Sequence, residues 1–357
     1  MRVGLVCPYS LTIPGGVQGQ VMGLARELRM LGHDVRVLAP CDGAPPDSGV
    51  TPLGRSVPFA TNGSVAPLAP DVSCALRTIR ALRDEQFDVL HLHEPLCPGP
   101  TTTALLLRGA PVVATFHRSG PSGAYAALRP LVQWGARRID IRCAVSEEAM
   151  LTAREALGGE YDLLFNGIEV ERFAKATPVL TDGPTIVFVG RHEERKGLAV
   201  LLEAMQHLPS DVRLWVAGEG PQTSGLRDRF GHDRRIEWLG QIDDDDKAAR
   251  LAGADVFCAP SLHGESFGVV LLEAMAARTA IVASDIDGYR RVTRDGADAV
   301  LVPPDDPVAL AAGLARVLDD GTEAQRLVAS GECRATEFSM AGLAEAYEDR
   351  YERAASG

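Results

Sequence analysis

Short, continuous apolar runs alternate with stretches of helical period along almost the whole chain. Val3-Gly4-Leu5-Val6-Cys7 comes first, and a run of this kind suits a strand buried on both faces. Pro14-Gly15-Gly16-Val17 breaks the pattern. Val21, Leu24, Ala25 and Leu28 then recur three and four apart, which predicts a helix ending at Gly32. Further strands are predicted over residues 34–38, 88–92, 111–116 and 141–145, with helical patterns between them. Strand alternating with helix predicts a parallel, doubly wound sheet.

Residues 178–184 hold Pro178, Gly183 and Pro184 with no apolar period, which predicts a linker. The pattern then restarts. Strands are predicted over residues 185–189, 213–217, 236–239, 256–259, 280–283 and 299–302, and a helix over 198–208. The chain therefore predicts two α/β domains of like architecture without a sequence repeat, 1–177 and 178–338. An amphipathic helix over 339–357 is expected to pack back onto the first.

Composition supports this. The chain has 357 residues, 46% of them hydrophobic and only 5% aromatic, which favours helices over parallel sheets rather than an all-β sandwich. A net charge of −12 makes a nucleic-acid partner a poor expectation. The seven cysteines are scattered and include no C-x-x-C, so free thiols in a reducing compartment are expected. No signal core and no uncharged apolar stretch of membrane-spanning length is read, so the expected location is the cytoplasm.

Four groups of residues carry candidate chemistry. Glu265-Ser266-Phe267-Gly268 leads into an apolar helix that carries Glu273. This places Glu265 at the helix N-terminus and Glu273 two turns along, beside N–H groups suited to a phosphate. The plainer reading is a first-turn acid plus a surface glutamate. Gly190-Arg191 and Arg195-Lys196-Gly197 follow the first strand of the second domain, where open α/β sheets place ligands. Cations there would stabilise a departing diphosphate; a solvated basic turn is the rival reading. Gly15 and Gly16 allow close backbone approach after the first strand, or mark a bare turn. His117 follows the strand ending at Phe116, placed to touch a ligand or to be satisfied within its own loop. His91 and His93 share a strand face, but a third metal ligand is not indicated.

In order along the chain, P-G-G-V-Q, T-F-H, N-G-I, G-R…R-K-G and E-S-F-G-V-V-L-L-E resemble the family 4 retaining glycosyltransferases, including their E-x7-E motif. The resemblance implies the GT-B fold: two facing Rossmann-like, doubly wound domains with an interdomain cleft that holds a nucleotide-sugar donor. The stretches V-C-P-Y-S, P-F-A-T-N-G-S-V-A, H-L-H-E-P and A-P-S-L-H-G-E-S-F-G are similar to the phosphatidylinositol α-mannosyltransferase branch. That branch implies mannose transfer from GDP-mannose to the inositol of phosphatidylinositol, by front-face attack with no cofactor and no catalytic metal.

Carried over, the resemblance implies catalytic roles for His117, Arg191, Lys196 and Glu265. Donor binding would involve Gly15, Gly16, Ser266, Phe267, Gly268 and Glu273, with Asp243 and Lys247 in the base-reading loop. Tyr9, Gln18, Asn62, Ser64 and Arg118 would line the acceptor side. Thr12 stands where that branch is expected to carry an acid, and residues 118–123 lack an expected lysine. Arg77, Arg80 and Arg83 on the 72–86 helix read either as a solvated face or as peripheral membrane contact. A related lipid or polyol acceptor is also compatible with that branch; rival readings are a family 4 enzyme with a UDP-sugar donor and a soluble acceptor, a nucleotide-sugar epimerase, and a non-catalytic nucleotide-sugar binder.

Overall fold

The computed structural model describes residues 1–61, 64–118, 120, 129–265, 267–294 and 296–356. It divides into two units, Met1–Gly167 with Met340–Gly357, and Ile168–Ser339.

In the first unit the strands are β1 (Arg2–Val6), β2 (Asp34–Ala39), β3 (Val50–Pro52), β6 (Val89–His93), β7 (Val112–Phe116), β8 (Ile141–Ala144) and β9 (Asp162–Leu163). They form a sheet in the order β3-β2-β1-β6-β7-β8-β9, with every pair parallel. The direction of growth reverses between β1 and β6, and open α/β sheets place ligands at the carboxyl ends of strands at such a reversal. The residues between β1 and β6 include an antiparallel hairpin, β4 (Val57–Thr61) and β5 (Ser64–Leu68). The apolar-run pattern did not predict it, because Pro58 and Pro67 interrupt both strands.

Helix Met340–Ser356 belongs to this first unit. Its buried face of Met340, Ala344, Tyr347 and Tyr351 packs in one core with Val21, Leu24 and Leu28 of helix Gly16–Met30. Gly23 permits the approach, since a Cβ there would lie 2.8 Å from Met340 Cε.

The second unit holds β10 (Thr185–Val189), β11 (Arg213–Ala217), β12 (Ile236–Gly240), β13 (Val256–Ala259), β14 (Ala280–Ser284) and β15 (Val300–Val302). Their order is β12-β11-β10-β13-β14-β15, again all parallel, and it reverses between β10 and β13. Ile186, Val187, Val256, Phe257 and Val282 are fully or almost fully buried, as strands covered on both faces require.

Two expectations are corrected. The chain passes between units at Gly167/Ile168 and again at Ser339/Met340, not at 177/178. Residues 168–184 are part of the second unit: Phe173 of helix Val170–Ala174 lies in its core, and the Val179 N–H donates to the Ala249 carbonyl. The helix predicted over 198–208 is α-helical only over Leu198–Ala204 and tightens to a 3-10 turn at Met205–His207. Among the described residues no helix is long and apolar enough to cross a membrane. All seven cysteines are unpaired.

Candidate active site

In the second unit, charged groups converge at the carboxyl ends of β10 and β13. The chain leaves β10 at Gly190 and Arg191, and His192 turns inward to hydrogen-bond Thr223 Oγ1 at 2.8 Å. Arg191 faces out, 56% exposed, and pairs with Glu193 at 3.0 Å. Glu193 also holds Arg195 at 3.0 Å. The 3-10 turn Glu194–Lys196 then presents two cations to one carboxylate: Lys196 Nζ and Arg195 Nη1 lie 2.7 and 3.1 Å from Glu265 Oε1. Ser261 Oγ reaches the same oxygen at 3.3 Å and is itself 2.7 Å from the Tyr289 hydroxyl.

The loop carrying Glu265 is gripped from behind. A Cβ at Gly288 would lie 1.9 Å from the Glu265 carbonyl oxygen, a separation no side chain tolerates. Gly268 caps helix Val269–Ala276 in the left-handed conformation at φ +68°, which favours glycine. Glu265 is therefore outside the helix, and Glu273 lies little more than one turn from its start rather than two. Phe267 is buried against Phe338, with ring centroids 5.4 Å apart; it supports the loop from the core rather than lining a ligand surface. Ser266 lies outside the described residues.

Glu273 is paired with Lys247 at 2.9 Å, and Lys247 with Asp244 at 3.3 Å. Burial alone would pull the Lys247 ammonium down, but the two carboxylates outweigh it and hold the group above the ordinary lysine range. Asp243 is committed to capping helix Asp244–Gly253, its Oδ1 accepting from the N–H groups of Asp245 and Asp246.

In the first unit, helix Gly16–Met30 starts beside Gly15, and among the described residues no capping side chain and no first-turn acid offsets its N–H groups. A Cβ at Gly16 would meet nothing within 4 Å; the fold does not itself require glycine there. Gln18, expected on the acceptor side, is buried beneath this loop, and its Nε2 donates to the carbonyls of Ile13 (3.1 Å) and Ser10 (3.4 Å). Thr12 Oγ1 accepts from the Asp42 N–H at 2.9 Å. Tyr9 bridges to Leu68 of the hairpin. Ser64 starts the second hairpin strand, and Asn62 lies outside the described residues.

His117 sits past β7, and its backbone N–H donates to Glu94 Oε1 at 2.6 Å; the Arg118 N–H does so at 2.7 Å. The His117 ring meets His93, Nε2 to Nδ1 at 2.9 Å. His93 stacks on His91, centroids 4.3 Å apart. Both nitrogens of His91 are engaged, Nδ1 by the Tyr351 hydroxyl (2.8 Å) and Nε2 by Thr115 Oγ1 (2.7 Å). Burial pushes the His117 and His91 imidazoles down to about 3, so both are neutral at ordinary pH. Among the described residues no group of three or more candidate metal ligands occurs.

The structure thus joins Lys196 with Glu265 and Lys247 with Glu273, while Arg191 reaches Glu265 only through Glu193 and Arg195. Sequence reasoning named Arg195 in the basic turn without giving it a role of its own, and missed Ser261 and Tyr289 around Glu265 and His93 beside His117. The x in R-x-x-x-R-K gives no sign of which arginine turns toward Glu265. The shared strand face of His91 and His93 was the one visible clue to the histidine stack.

The solved structures that this chain resembles include glycosyltransferases. HepE of Anabaena superposes with a TM-score of 0.76 at 16% identity, over 99% of this chain and 100% of that one. The sucrose-phosphate synthase of Thermosynechococcus elongatus gives 0.74 at 20% identity, over 99% and 98%. The fold is that of the GT-B glycosyltransferases.

The family profile of Glycosyltransferase Family 4 matches residues 14–172, and that of Glycosyl transferases group 1 matches residues 183–320. The chain is 43% identical to the phosphatidyl-myo-inositol mannosyltransferase of Mycobacterium tuberculosis, over 96% of this chain and 94% of that one. It is 38% identical to the protein of that name in Propionibacterium freudenreichii, over 83% and 80%. This chain belongs to glycosyltransferase family 4, and it is a glycosyltransferase.

Proposed function

We propose that this enzyme transfers mannose from GDP-mannose to the inositol of phosphatidylinositol, with the anomeric configuration retained. Support comes from the mycobacterial relative's name at 43% identity and from the cluster of Lys196, Arg195 and Glu265. That cluster is the observation that carries the reading, because it sets two cations and a carboxylate at a strand-order reversal.

In this reading the Ile168–Ser339 unit holds the nucleotide. Arg191 and Lys196 bind the diphosphate, Glu265 contacts the transferring sugar, and Glu273 holds the ribose. The loop of Asp243 and Lys247 lies by the base, while Phe267 and Gly268 shape the Glu265 loop from behind. In the other unit Gly15 and Gly16 let backbone approach a phosphate, and His117 contacts the sugar. Tyr9, Asn62, Ser64 and Arg118 serve the acceptor, and Gln18 serves it indirectly by propping the glycine loop.

The acceptor hydroxyl oxygen forms the new bond to the anomeric carbon on the face that the diphosphate leaves. The broken bond's electron pair stays on the diphosphate, which takes the hydroxyl proton. Arg191 and Lys196 stabilise the charge that builds there. No protein nucleophile, cofactor or metal takes part in this scheme. Helix Val72–Glu85, with Val72 and Leu76 76% and 61% exposed and arginines on the same helix, is the proposed contact with a cytoplasmic membrane face.

The test is incubation with labelled GDP-mannose and phosphatidylinositol vesicles. Label appearing in the lipid supports the reading. Transfer from a UDP-sugar instead, epimerised nucleotide sugar without acceptor, or binding with no product each contradicts it.

A further inference from the structure

The three neighbouring histidines of the first unit, His91, His93 and His117, are not equivalently satisfied. His91 has a hydroxyl on each ring nitrogen. His93 has His117 Nε2 at 2.9 Å from its Nδ1, while its own Nε2 is buried with no hydrogen-bond partner among the described residues. His93 is 2% exposed, and the stack on His91 fixes its ring.

One proton lies between His93 Nδ1 and His117 Nε2, and two placements satisfy that contact. If His117 donates, His93 accepts at Nδ1 and carries its own proton on Nε2. That leaves an N–H buried without an acceptor. If His93 donates, its Nε2 is a bare lone pair. An orphaned buried N–H is the rarer of the two. We infer that His93 donates its Nδ1 proton to His117 Nε2 and so fixes His117 in the tautomer protonated on Nδ1. Burial supports the neutral state this needs, pushing His93 well below and His117 to about 3.

This deepens the proposed function and rests on it for its chemical meaning. His93 is a positioning residue. Through it, His117 offers the sugar an N–H donor at Nδ1, and its Nε2 lone pair is already taken. His117 therefore hydrogen-bonds a sugar oxygen but does not receive the acceptor's proton, which leaves the departing diphosphate as the base.

The test reads the tautomers directly in the full-length, unliganded protein, by two-bond proton–nitrogen correlation NMR with 15N-labelled histidine. His93 and His117 are both expected as Nδ1–H. A proton on Nε2 of either ring overturns the inference. The measurement needs no substrate, so a failed mannose-transfer assay and a wrong tautomer are separate results.

Kinetics give a second readout. His93→Asn keeps an amide donor near the Nδ1 position and His93→Leu removes it. His93→Leu is expected to lower kcat about tenfold with donor KM little changed, the size of one lost hydrogen bond. His93→Asn is expected to recover most of that loss. Full kcat in His93→Leu overturns the positioning role.

Discussion

Lys196 Nζ lies 2.7 Å from Glu265 Oε1, and this contact ties the turn after β10 to the loop after β13. Arg195 reaches the same oxygen. One carboxylate therefore holds two cations, and under the proposed function an incoming diphosphate competes with it for them.

Glu265→Gln follows from that competition. Removing the charge frees Lys196 and Arg195, so GDP binding is expected to hold or tighten. Turnover is expected to fall at least about tenfold, as for a contact made in the transition state. Calorimetry with GDP alongside steady-state kinetics checks both, and weaker GDP binding contradicts the competition.

Gly288 sets the position of Glu265 from behind. A Cβ there would overlap the Glu265 carbonyl at 1.9 Å, so Gly288→Ala must displace the loop. The expected result is weaker donor binding together with about 1–3 kcal/mol of lost stability, the usual range for overpacking. Donor titration and urea denaturation measure the two, and unchanged values for both contradict the account.

Lys247 and Glu273 are largely covered and paired at 2.9 Å. Removing Lys247 takes away the cation hydrogen-bonded to Glu273, and removing Glu273 leaves Lys247 only the more exposed Asp244. Glu273→Gln and Lys247→Met are each expected to cost about 1–3 kcal/mol. The double variant should cost less than their sum, because neither charge is then left unpaired. Strict additivity in denaturation midpoints would contradict a coupled pair.

Much of this was legible in the sequence, and the limits have physical causes. Strands such as Val3-Gly4-Leu5-Val6 and Ile186-Val187-Phe188-Val189 announce themselves because burial on both faces demands unbroken apolar runs. The hairpin over residues 57–68 has no such run, since Pro58 and Pro67 sit in short strands outside the main sheets. The unit boundary was misplaced because 178–184 has linker composition, yet Phe173 and Val179 already belong to the second core. The glutamates and cations of the site follow from strand ends and motif spacing. Tyr289 and Ser261 do not, because their contact spans 28 residues.

Acid stability follows from the histidine stack. Burial lowers the His91 pKa from its ordinary 6.5 to about 3. Between those values the unfolded chain binds a proton that the folded chain refuses, so stability is present above about 6.5 and falls as pH drops toward 3. Burial shifts the Glu94 carboxyl up, which acts in the opposite sense. The melting temperature is expected to decline below pH 6.5, and His91→Asn should flatten that decline. A flat profile in the unmodified protein contradicts the burial of neutral histidine.

The central claim is that Lys196 and its neighbours grip the donor's diphosphate. Titration calorimetry with GDP on the unmodified enzyme and on Lys196→Met tests it most directly. Loss of one charge-assisted contact to phosphate, about 1.5–3 kcal/mol, predicts a Kd weaker by roughly ten- to a hundredfold. An unchanged Kd would place the diphosphate elsewhere and contradict the account.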